Sequence, residues 1–162
     1  MDSEGQYLRS LLSQATEGDP WHGPPLARLL RGLLPDQAAG HPIAGAHSIW
    51  ELVLHIAAWH REVARRMGGS LPALPAEGDW PAVREISHSA WERALEDLRR
   101  SRIELDAAIA GAGDLARSVG SVREPRLGTG VTVRDTLLGV VQHDAYHAGQ
   151  IAILRHALGL LV

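Results

Sequence analysis

Apolar residues recur every three or four positions along four long stretches of this chain, and Gly/Pro clusters separate the stretches. The first comes in two pieces. Tyr7, Leu8, Leu11, Leu12 and Ala15 share one face over Glu4 to Thr16; after Gly18-Asp19-Pro20, a helix resumes near Pro24-Pro25 with Leu26, Leu29, Leu30, Leu33 and Leu34 on its face. Pro35 is expected to stop it. The second stretch runs from about His47 to Met67, with Ile49, Leu52, Val53, Ile56, Ala57, His60 and Ala64 at helical spacing. Ser48 and Glu51 form a capping box at its start, and Gly68-Gly69 ends it. The third is expected to start at Asp79-Trp80-Pro81, with Asp79 as cap, and to reach about Ala110. Its Glu and Arg residues make a solvated face. The fourth is capped by Thr132, with Asp135 in its first turn, and extends to about Leu158. No strand is expected; Val131 to Val133 is too short and leads into helical spacing.

Four amphipathic helices in 162 residues indicate an all-α fold, a four-helix bundle occupying one domain over 1–162. The long links before the second and fourth helices leave room for crossover connections. With 45% hydrophobic and 22% charged residues, the composition is that of an ordinary globular protein. A formal charge of -3 argues against a nucleic-acid partner. No apolar run reaches the about 18 residues a membrane helix needs. The N-terminus lacks a basic segment leading into an apolar one, so a cytoplasmic location is expected. The chain has no cysteine, and its 16 basic residues are all arginine. Disulfides, thiolate ligands, cysteine nucleophiles and Schiff-base lysines are thereby excluded. Nine histidines remain, so a site for a borderline metal must use imidazoles and carboxylates.

The sharpest local pattern is Gln142-His143-Asp144-Ala145-Tyr146-His147. His143 and His147 stand one turn apart on the face that also carries Val140, Ile151 and Leu154. Two imidazoles so placed can hold one divalent ion, or can be half-buried core histidines bonded to neighbouring helices. A third ligand would decide between these. In Leu52-Val53-Leu54-His55-Ile56-Ala57-Ala58-Trp59-His60, the apolar flanks favour His55. His60 lies about 140° further round the helix and begins a polar stretch, so it is expected to be exposed. His47 lies too near the helix start to reach a mid-bundle site easily. His22 and His41 fall in loops, His88 on a charged helix, and His156 near a helix end. Trp21, Trp50, Trp80 and Trp91 read as core or interface aromatics.

The stretches HSIWELVLHIAAWHREVARRM (47–67), DWPAVREISHSAWERALEDL (79–98) and VQHDAYHAGQIAILR (141–155) resemble the DinB/YfiT-like superfamily. That resemblance implies a four-helix bundle with a long crossover, a three-histidine metal site and a homodimer. Matched residue by residue, the implied ligands are His55, His143 and His147, the same three that spacing and polarity favour.

Imidazole ligation suits Zn or Ni best, with Fe or Mn also compatible. The resemblance further implies a metal-dependent transferase that works with a low-molecular-weight thiol and a small-molecule substrate. A chain without cysteine would take that thiol from outside. Two other readings are a hydrolase using a metal-bound hydroxide, and a non-enzymatic, stress-associated metal-binding dimer. For the hydrolase, Asp144 occupies the place of a zincin glutamate, but it points about 100° from its neighbouring ligand and reads as structural. Trp59, Tyr146 and Gln150 are candidate pocket residues, each also explicable by packing.

Overall fold

The computed structural model describes residues 3–161; Met1, Asp2 and Val162, the ends of the expected domain, lie outside them. Its elements are α1 (Ser3–Thr16), α2 (Leu26–Leu30), α3 (Pro35–Ala39), α4 (Ile49–Met67), α5 (His88–Ala110), β1 (Ser118–Val119), β2 (Val131–Thr132) and α6 (Val133–Ala157). The fold is all-α, with β1 and β2 forming a short antiparallel ladder among the described residues.

The caps read from sequence form as chemistry requires. Ser48 Oγ accepts the Glu51 N–H at 3.2 Å, and the Glu51 carboxylate accepts the Ser48 N–H at 2.7 Å. Thr132 and Asp135 make the same reciprocal pair at the head of α6. Orphan donors of the first turn are thereby satisfied, which sets where each helix enters the bundle.

The four long helices form a ring in which α4 packs on α5 and α6, and α1 packs on the same two. Thus α1 lies diagonally from α4, and α5 from α6. Both long links therefore cross the bundle. One carries α2 and α3; the other carries the β1–β2 ladder. The core falls into two clusters. One gathers Leu26, Leu29, Trp50, Ile56, Trp91, Leu98 and Ile151; the other gathers Leu8, Leu12, Val63, Leu105, Leu137 and Val140. Between them, α4, α5 and α6 contribute His60, Ser101 and Asp144, all buried.

Four expectations need correction. The third long helix begins at His88, not near Asp79. Its cap is Ser87, whose Oγ accepts the Ala90 N–H at 3.2 Å. The helical spacing of Val83 and Ile86 is coincidental; both lie in non-helical chain, and Ile86 is exposed. Pro35 does not stop a helix but starts α3, while α2 ends at Leu30; Leu34 is accordingly exposed. Proline suits a first helical turn as well as it terminates one. Finally, Val131 and Thr132 do pair as a strand, with Val119 and Ser118. Tyr7, placed on the apolar face of α1, is also exposed.

Candidate metal centre

His55 projects from the middle of α4, and His143 and His147 from successive turns of α6. Their Nε2 atoms converge: His143 Nε2 lies 2.9 Å from that of His55 and 3.1 Å from that of His147. All three offer a ligand atom within 4.8 Å of one another, the only such cluster of three or more among the described residues.

The outer nitrogens decide which way the lone pairs face. His55 Nδ1 donates to the Asp79 carbonyl at 2.6 Å. His147 Nδ1 donates to Gln150 Oε1 at 2.6 Å. Each of those rings therefore aims a bare Nε2 inward. Burial lowers the pKa of His55. Burial and the neighbouring His143 bring His147 down to about 4, overriding its bond to Gln150. Both rings are neutral near pH 7, as metal ligands must be. His143 Nδ1 is buried without a hydrogen-bond partner, 3.8 Å from the Asp144 carboxylate.

Electron pairs facing one another across about 3 Å repel unless a proton or cation lies between them. A metal–nitrogen bond of about 2.0–2.1 Å places ligands at right angles about 3.0 Å apart, matching the two short separations. The donor set thus fits a divalent ion.

Aromatic rings enclose the cluster. Trp80 is sandwiched between His47 and His55, with centroid separations of 3.6 and 3.9 Å. Its neighbour Asp79 accepts the Trp59 indole N–H at 2.8 Å and lies 3.4 Å from His55 Nδ1. Trp59 lies edgewise to His55, and Tyr146 to His147. The cluster opens into a cleft of about 570 Å³, lined by Trp59, Trp80, Tyr146, Arg123 and the chain from Pro125 to Gly128.

Behind His143, the structure corrects the reading of His60. That residue is 0% exposed, and its Nε2 donates to both Asp144 oxygens at 3.0 and 2.9 Å. The apolar flanks that favoured His55 did not distinguish it from His60, because α4 is covered on both of these faces. Asp144 is likewise 0% exposed. Burial alone would raise its pKa, but the charge of His60 and its hydrogen bonds outweigh that and lower it.

Of the candidate pocket residues, Trp59 and Tyr146 line the cleft, and Gln150 orients His147 from outside it. Asp79, Trp80 and His47 were missed as site neighbours. Pro72, Pro75, Gly78 and Pro81 are a breaker-rich signal that could have marked 70–87 as a strap rather than a helix start. That strap is fixed to α4: Arg66 donates to the Ala73 carbonyl, Glu62 accepts the Ala73 N–H, and Arg61 pairs with Glu77.

No helix among the described residues is long and apolar enough to cross a membrane. No curated protein and no solved structure matches the chain. The family model of the DinB superfamily, by contrast, matches residues 23–151, a span that contains all three histidines, and the chain belongs to that superfamily.

Proposed function

We propose that the chain holds one divalent metal ion through His55, His143 and His147 and serves as a metal-dependent transferase for a low-molecular-weight thiol. The observation that carries this reading is the convergence of three Nε2 atoms at the floor of an open cleft. When bound, a divalent ion supplies Lewis acidity that lowers the pKa of a coordinated thiol, giving a nucleophile near neutral pH. Zn or Ni suits three imidazoles best. The chain's own part is to hold the rings neutral and oriented, through the Asp79 carbonyl and Gln150. Trp59, Trp80 and Tyr146 form the walls against which a small substrate would pack.

Two features favour this reading over the alternatives. Asp144, which stands in the place of a zincin's catalytic glutamate, is sealed away on His60 and is not placed to act as a base in hydrolysis. A structural site is normally closed by a fourth protein ligand, and the described cluster contains three residues. In keeping with the family resemblance, we read the protein as one cytoplasmic domain over 1–162 that forms a homodimer. Exposed Tyr146 and Ile153 on α6 offer apolar surface for that contact.

The test is conjugation. Zn- or Ni-loaded protein is incubated with a panel of cellular thiols and a chromogenic electrophile, with His143→Ala as control. Metal-dependent conjugation that the substitution abolishes is expected. Equal rates in wild type, variant and buffer would remove the transferase assignment.

A further inference from the structure

One wall of the cleft is the loop joining β1 to β2. It brings two arginines, Arg123 and Arg126, to the cleft lining. Arg123 donates to the Thr129 carbonyl at 3.2 Å, and neither guanidinium reaches a carboxylate among the described residues. Arg66, which also lines the cleft, differs: it is buried and paired with Glu62 at 2.8 Å. The two cleft-lining acids are engaged elsewhere. Asp79 takes the Trp59 N–H, and Asp135 is held by Thr132 at the head of α6. Among the described residues, the cleft therefore carries two arginines without a carboxylate partner.

The loop that presents them is built rather than loose. Thr129 is 5% exposed; its Oγ1 donates to the Val122 carbonyl at 2.7 Å and accepts the Glu124 N–H at 3.1 Å. Gly130 has φ +69, and a Cβ there would lie 2.6 Å from the Arg123 Cα and N, so only glycine lets the two chains lie together. From the bundle, Arg66 Nη1 donates to the Leu127 carbonyl at 2.6 Å and pins the far side of the loop over α4. Exposed arginines on an anchored loop, facing a cleft and lacking carboxylates, are placed to receive an anion from solution. The guanidinium fork suits a carboxylate held by two bonds.

We propose that Arg123 and Arg126 form an anion subsite, so that the small molecule whose thiol end reaches the three histidines carries a carboxylate at its other end. The thiol end rests on the function proposed above; the anionic end rests on the loop.

The experiment titrates Co-loaded protein with ω-mercaptocarboxylates of two to six carbons and with the matching ω-mercaptoalkanols. Calorimetry gives affinity, and the cobalt visible bands report on the metal. Wild type should bind the best acid at least about tenfold more tightly than its alcohol, as expected for charge-assisted bonds. The Arg123→Gln/Arg126→Gln variant should lose that preference, and the Arg123→Lys/Arg126→Lys variant should keep part of it. Equal affinities for acid and alcohol, a preference that survives both Gln substitutions, or no binding of any acid would overturn the subsite. Acid-selective heat without a change in the cobalt bands would keep the subsite and remove the thiol–metal reading. Equal band shifts with acid and alcohol would keep the thiol reading and remove the subsite.

Discussion

Two polar groups interrupt the apolar core on neighbouring turns of α4, and they are finished differently. His60 and Asp144 are 0% exposed, and each satisfies the other. One turn of α4 away, His55 meets His143 and His147 with their lone pairs converging, beside an open cleft. Asp144 and His143 are adjacent in sequence and project about 100° apart from α6, one into the closed pair and one into the open cluster. Burying a polar group is tolerable when a partner within the chain compensates it. The closed pair has that partner, so it serves the fold. In the open cluster, the proposed metal ion would supply that compensation.

Substitutions should separate the two. His143→Ala removes an inward donor and leaves His60–Asp144 intact. Metal content of protein purified without an affinity tag should fall from about one equivalent per chain to background, while the fold persists. His60→Leu does the reverse. It leaves a buried carboxylate uncompensated and should cost about 3–5 kcal/mol in denaturant unfolding, while the folded fraction still takes up metal. If both variants lose metal and stability alike, the distinction between the regions fails.

Acid should separate them as well. His55 and His147 have lowered pKa values, His147 to about 4 against an ordinary 6.5, so the unfolded chain binds their protons first. For metal-free protein, their contribution is intact above pH 6.5 and is lost as pH falls below it, that of His147 toward about 4. Asp144 is lowered from 3.8, so its contribution is present above that value and is lost only below it. Unfolding stability measured against pH should thus show an upper limb that saturating metal shifts to lower pH, and a lower limb that metal leaves in place. The smallest effect is expected from Gln150→Ala, which removes the acceptor orienting His147. Metal affinity should weaken about tenfold, with Gln150→Glu restoring it; unchanged affinity would make Gln150 a packing residue only.

The amphipathic periods of α4 and α6 carry most of what was legible in sequence. Ser48, Glu51, Thr132 and Asp135 mark where those helices start, and the i, i+4 spacing of His143 and His147 fixes their common face. Caps and periodicity are local, so a single segment reveals them. His60 was not legible, because whether a polar residue on α4 is covered depends on Ser101 and Asp144 from distant helices. Trp80 was misread for a related reason. The spacing after Pro81 imitates a helix, and the rings that hold the strap in place, His47 and His55, come from another part of the chain. The pairing of Ser118 with Thr132 likewise has no signal within either dipeptide.

The sandwich of Trp80 between His47 and His55 also makes the molecule its own gauge. An indole stacked on a ligand's imidazole is in electronic contact with whatever that imidazole binds. Its fluorescence would then follow occupancy: a paramagnetic ion at His55 would darken Trp80, stacked on His55, far more than Trp91, whose ring packs on Trp50. The emission of the unlabelled chain can therefore time the arrival and departure of the ion in solution.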